Sequence, residues 1–121
     1  MGASNIILLL VTDLMLQSRI REQAKRLGYQ TVVVESSEAA HAALAGGPAL
    51  AFVDLQEDAI DWKETIAAAR DRGVPVLAFG RHTDARLLRS AREAGCDRAV
   101  ARSTLVEELP QLIEQLVVSR A

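Results

Sequence analysis

A-L-A-F-V-D-L-Q, residues Ala49 to Gln56, is the stretch from which the architecture follows. It is a short apolar run ending on one carboxylate, Asp54, with Gly46-Gly47-Pro48 before it and the acidic segment Gln56 to Glu64 after it. An apolar run of this length without alternation predicts a strand covered on both faces. Asp54 then stands at the C-terminal tip of that strand. Four other stretches repeat the design: Asn5 to Val11 leading to Thr12 and Asp13, Gln30 to Val34 leading to Glu35, Pro75 to Phe79 leading to Gly80 and Arg81, and Asp97 to Ala101 leading to Arg102. Ligands gather at the carboxyl ends of the strands in an open parallel sheet, so these polar tips are expected to share one edge.

Between the strands the apolar spacing turns helical. Leu14, Ile20, Ala24 and Leu27 form a stripe that Gly28 stops, and Ser36 and Ser37 are placed to cap a helix over Ala39 to Ala45. Ile60 to Arg72 has helical composition, with Ile66, Ala67 and Ala69 for its inner face. Thr83 or Asp84 caps Ala85 to Ala94, where Leu87, Leu88 and Ala91 point inward and Gly95 closes the helix. In the last segment Thr104-Leu105-Val106-Glu107 reads as a capping box, and Leu105, Leu109, Leu112, Ile113 and Leu116 supply the apolar face. Pro110 lacks an amide donor and should bend that helix or delay its start.

Strands alternating with helices at short spacing predict an α/β fold, because parallel strands need crossovers and helices supply them. The expected form is a flavodoxin-like (βα)5 doubly wound, five-stranded parallel sheet of order 2-1-3-4-5 in a three-layer sandwich, with Asp13 and Asp54 facing each other at the switch point. With 121 residues, half of them hydrophobic and a quarter charged, the chain is read as a single domain over 1–121. No apolar run is long enough for a membrane span, no leader pattern is seen, and a cytoplasmic location is expected. Cys96 is the one cysteine, and His41 and His82 are solitary, so neither disulfide nor metal cluster is expected from them. No P-loop, nucleophile elbow or dinucleotide fingerprint occurs, and enzymatic turnover is not expected.

The stretches I-I-L-L-L-V-T-D at the first strand, L-A-F-V-D-L at the third, V-P-V-L-A-F at the fourth and A-R-E-A-G-C-D-R-A-V-A-R-S near the end resemble a response-regulator receiver domain (CheY-like) over essentially the whole chain. The resemblance implies that an acidic pair after the first strand and the third-strand Asp hold Mg²⁺, while that Asp accepts a phosphoryl group from a histidine kinase. A Thr or Ser after the fourth strand and a Lys after the fifth would bind the phosphoryl oxygens. On this chain Asp54 matches the phosphoacceptor and Asp13 the second acid, with the backbone carbonyl of Gln56 as a further metal ligand. Thr12 stands where the first acid belongs, Gly80 where the hydroxyl residue belongs, and Arg102 where the Lys belongs, followed by Ser103 instead of proline. Ala99 occupies the aromatic switch position, and Asp58 and Trp62 replace the usual proline and glycine.

These departures point to a degenerate, or pseudo-receiver, variant. Two carboxylates are a weak set for a hard octahedral cation, and Arg102 is expected to pair with Asp54 or Asp13 and neutralise them without a metal. No cofactor is then required, with Mg²⁺ as the candidate if one binds. The implied function is a phosphorylation-independent adaptor in signal transduction, using a surface that carries Arg86, Arg89 and Arg92. Its partner would be a signalling protein or histidine kinase, with a homodimer as a further arrangement. Membrane and nucleic acid are not expected, since no aromatic lies in the Arg run to stack on bases. The alternatives are a working phosphorelay receiver accepting a phosphoryl group on Asp54 with Mg²⁺, and, with less support, a small-molecule or nucleic-acid-binding module. Trp62 reads equally as a partner contact or a half-buried packing residue.

Overall fold

The computed structural model describes residues 4–119. Strands β1 (Ile6–Leu10), β2 (Gln30–Val33), β3 (Leu50–Asp54), β4 (Val76–Gly80) and β5 (Arg98–Ala101) form one parallel sheet in the order β2-β1-β3-β4-β5. This is the doubly wound α/β arrangement expected from the alternation of apolar periods. The helices among the described residues are α1 (Leu14–Arg26), α2 (Ser37–Leu44), α3 (Trp62–Asp71), α4 (Ala85–Ala94), α5 (Arg102–Glu107) and α6 (Leu109–Ser119).

Successive side chains of a strand point to opposite faces, and the three central strands feed two cores. Ile7, Leu9, Phe52, Leu77 and Phe79 pack with Leu16, Ile20 and Ala24 of α1 and with Leu105, Leu109, Leu112, Ile113 and Leu116 of α5 and α6. Leu8, Leu10, Ala51, Val53, Val76 and Ala78 pack on the other face with Ala40 and Leu44 of α2, Ile66 and Ala69 of α3, and Leu88 and Ala91 of α4. The result is three layers, and β3 is buried along its whole length.

Some inward faces differ from the sequence reading. Leu14 lies 76% exposed, and the buried stripe of α1 is carried by Leu16, Gln17, Ile20 and Ala24. Gln17 is tolerated there because its Nε2 donates to the Val11 carbonyl at 2.6 Å, closing the loop after β1. In α3 the exposed residue is Ala67, and Thr65 is buried, its hydroxyl donating to the Asp61 carbonyl at 2.8 Å. Hydrophobicity set the number of inward residues correctly, but a hydrogen bond to a nearby backbone carbonyl, Val11 for Gln17 and Asp61 for Thr65, let a polar side chain take an inward angle.

The helix starts are mostly as read. Asp13, Ser36 and Asp84 cap α1, α2 and α4 through side-chain oxygens that accept amides of Leu16, Ala39 and Leu87. Asp61 caps α3 in the same way, accepting from Glu64. The capping box at Thr104 is not formed. The chain leaves β5 extended at Ala101 and is helical from Arg102, with no side-chain cap, so Thr104 lies inside α5. Pro110 has the predicted consequence: α5 stops at Glu107, and a new helix begins at Leu109, where Pro110 sits in the first turn and needs no amide partner.

Candidate functional site

The carboxyl ends of β1, β3, β4 and β5 deliver Asp13, Asp54, Gly80 and Arg102 to one edge, as the strand order requires. Each carboxylate divides its two oxygens. Asp13 accepts the Leu16 amide on Oδ1 at 3.1 Å and an Arg102 Nη1 hydrogen bond on Oδ2 at 2.9 Å. Asp54 accepts the Gln56 amide on Oδ1 at 2.9 Å and Arg102 Nη2 on Oδ2 at 3.4 Å. The guanidinium therefore forks between two acids, and its carbon lies 5.5 Å from the centre of the Phe79 ring. A planar cation stacked on an aromatic ring and donating in two directions suits arginine and would not suit lysine.

Burial separates the two acids. Asp54 is almost wholly enclosed, and removal from water pushes its carboxyl above the ordinary carboxylate value; the Gln56 amide and Arg102 pull the other way and are outweighed, while Glu57 and Asp13 add repulsion. Asp13 is held below the ordinary value, first by the Leu16 amide and then by Arg102. Because folded Asp54 binds its proton more tightly than the unfolded chain does, its contribution to stability is complete below the ordinary carboxylate pKa and is lost as pH rises through the raised value. Asp13 has the opposite sign: its contribution is present above the ordinary value and disappears as acid titrates it. Asp54→Asn keeps an oxygen for the Gln56 amide and removes the buried charge. We expect it to raise stability at about pH 7 by up to about 1 kcal/mol and to lose that advantage by about pH 4, as read by urea unfolding at both pH values. An unchanged difference across that range would contradict the raised carboxyl.

Thr12 stands at the mouth of the site, and its hydroxyl donates to the Glu57 carboxylate. Glu57 also accepts the Ala59 amide at 3.1 Å, and the Thr12 bond is the main cause that holds its carboxyl below the ordinary value. This contact was not read from the sequence, where Glu57 counted only as one acid of the segment Gln56 to Glu64. Its spacing from Asp54 was the available signal. Gln56 was read for its backbone carbonyl, whereas its side chain turns to the β4–α4 connection, where Oε1 accepts the Arg81 amide at 2.7 Å.

The Mg²⁺ expectation is tested by what these oxygens are doing. Among the described residues no three His, Cys, Asp or Glu side chains group so as to hold a metal ion. The outer oxygens of Asp13 and Asp54 both face a fixed cation, and Thr12 spends its proton on Glu57. As arranged, the residues do not fit a hard octahedral ion.

The other sequence candidates lie apart. Ala99 is buried beside α4, and Arg92 donates to its carbonyl at 2.7 Å, covering an otherwise open position on the edge strand β5. Arg86 and Arg89 are exposed on α4 and face solvent, whereas Arg92 serves the sheet edge and Arg102 the acids. Trp62 is half-buried against the α2–α4 core, with Lys63 over its ring at 5.8 Å. Cys96 is half-buried too, and burial pushes its thiol up to about 11, which makes it a poor nucleophile or ligand.

No family model matches the sequence, and no curated protein matches it. Solved structures do. The receiver domain of the Francisella response regulator 1452 superposes with a TM-score of 0.82 at 14% identity, covering 98% of this chain and 100% of that one. NtrX from Brucella abortus gives a TM-score of 0.81 at 15% identity over 98% of this chain, which spans only 28% of the NtrX chain. The receiver domain of the sensor histidine kinase PA1611 from Pseudomonas aeruginosa PAO1, which has a magnesium ion coordinated in its active site cleft, gives 0.78 at 19% identity, covering 96% of this chain and 99% of that one.

Proposed function

We propose, for a chain that has the fold of response-regulator receiver domains, the role of a phosphorylation-independent signalling adaptor, a pseudo-receiver that works by protein contact and not by turnover. The observation that carries this reading is the forked Arg102, whose two nitrogens occupy the outer oxygens of Asp13 and Asp54. A phosphoacceptor needs its carboxylate free and a divalent cation beside it, whereas here the outer oxygen of Asp54 faces the guanidinium of Arg102. Glycine at 80 offers no hydroxyl to a phosphoryl oxygen, and Ala99 offers no aromatic ring to swing.

The contact surface is the side formed by the β4–α4 connection, α4, β5 and α5. Arg81, His82, Arg86 and Arg89 are exposed along it, and a groove of about 570 Å³ between the connection and α5 is lined by Thr83, Arg102, Ser103 and Val106 among others. An acidic protein surface fits it, whether on a signalling protein, a histidine kinase or a second copy of this chain. No described helix is long and apolar enough to cross a membrane. A cytoplasmic place agrees with the partners proposed.

The test is an amide-resolved NMR titration with Mg²⁺, followed by beryllofluoride as a mimic of an aspartyl phosphate. An essentially unchanged spectrum at millimolar Mg²⁺ is the expected result. Saturable shifts centred on Asp13, Asp54 and Gln56 and spreading to α4 would replace the adaptor with a working phosphorelay receiver that uses Asp54.

A further inference from the structure

Gly80 ends β4 beside Asp54, at a backbone angle open to any residue, so its lack of a side chain is not demanded by its own conformation. Its surroundings leave little room for more. A methyl group built there would meet Gln56 Oε1 at 3.1 Å, tighter than ordinary van der Waals contact, and Leu88 Cδ2 at a comfortable 3.7 Å. Gln56 Oε1 cannot simply retreat, because it accepts the Arg81 amide at 2.7 Å.

We propose that Gln56 is a latch: its side chain fills the space that a side chain at position 80 would take, closes the cleft beside Asp54, and ties the acidic 56–61 segment to the turn that starts α4. Gly80 is its partner, leaving the space that it fills. The connection is continuous. Asp54 Oδ1 accepts the Gln56 amide at 2.9 Å, Gln56 Oε1 accepts the Arg81 amide at 2.7 Å, and the Arg81 carbonyl accepts the Asp84 amide at 3.0 Å. Asp84 Oδ1 then accepts the Leu87 amide at 3.2 Å in the first turn of α4. The aromatic that the fold's relatives were expected to use is missing at Ala99, and this chain of backbone and amide bonds joins Asp54 to α4 without it. Gln56 acts as a positioning residue, since it orients the Arg81 turn and touches no reactant.

The proposal deepens the reading of a closed cleft, and its test is independent of whether Mg²⁺ or a phosphoryl mimic binds. Four chains are compared by urea unfolding and by hydrogen exchange: the natural chain, Gly80→Ala, Gln56→Ala and the double variant. Gly80→Ala is expected to lower the urea midpoint in the natural background and to raise it in the Gln56→Ala background, where alanine only restricts the unfolded chain. In Gln56→Ala the Arg81 amide loses its acceptor, and its exchange protection should fall at least about tenfold. Gln56→Glu keeps an oxygen in reach and should hold that protection. A Gly80→Ala effect of the same sign and size in both backgrounds, or an Arg81 amide that exchanges equally slowly without Gln56, would overturn the latch.

Discussion

Phe79→Ala is expected to cost about 3–5 kcal/mol of unfolding free energy, the largest loss we anticipate from one substitution in this chain. Phe79 is fully buried on the β4 strand, and its register places it opposite Asp54 on β3. Its ring fills the core beneath α5 and α6 and also carries the guanidinium of Arg102 at 5.5 Å on its face. The substitution therefore leaves a cavity in the core and takes away the platform of the ion pair. Phe79→Leu separates the two losses. Leucine keeps most of the volume and should cost less than about 1.5 kcal/mol, while removing the flat surface under Arg102. Urea unfolding reads the first effect, and exchange of the Arg102 side-chain NH signal with water reads the second. If Phe79→Leu left that exchange unchanged, the ring would be packing alone and would have no part in holding Arg102.

The fold was legible because each of its decisions is made by a short, unambiguous pattern. Ala49 to Gln56 has no polar residue until Asp54, and a buried parallel strand is the element that such a run satisfies. Glycines at 28, 73 and 95 follow their helices, all with positive φ, and Gly95 admits the side chain of Arg70 across it, where a methyl group would collide. That Arg102 would pair with an acid here was legible as well, since topology left it the nearest cation to Asp13 and Asp54 on one edge; that it would fork between both was not. Thr104 misled for a physical reason: a capping box records what the residues can do at a helix start, but here the chain turns helical directly at the end of β5, before the box is reached. Leu14 and Gln17 exchanged places because the end of a helix at the sheet rim is open to water, while Gln17 finds a carbonyl inside. The Thr12–Glu57 contact and the Gln56 latch bridge separate loops, and no local period encodes such meetings.

Arg102→Ala should show whether the cation is the reason the site is closed. Without it Asp54 remains buried beside the negative charges of Asp13 and Glu57, with only the Gln56 amide to oppose them. A buried acid that loses its partner usually costs several kcal/mol, but Arg102 is 40% exposed and its contact with Asp54 is long, at 3.4 Å, so about 1–2 kcal/mol is the expected loss. The loss should shrink as pH falls, because protonated Asp54 no longer needs a counter-charge. The outer oxygens of Asp13 and Asp54 also become free, and with the Gln56 carbonyl they form a weak oxygen site of the kind that Mg²⁺ accepts at millimolar concentration. Mg²⁺ should then restore ~1.4 kcal/mol when it stands roughly tenfold above its Kd, while the natural chain gains nothing. Parallel urea unfolding of the two chains with and without Mg²⁺ decides it. A variant as stable as the natural chain and equally indifferent to Mg²⁺ would mean that Arg102 merely rests between the acids, and that Thr12 and Gly80 by themselves had already closed the site.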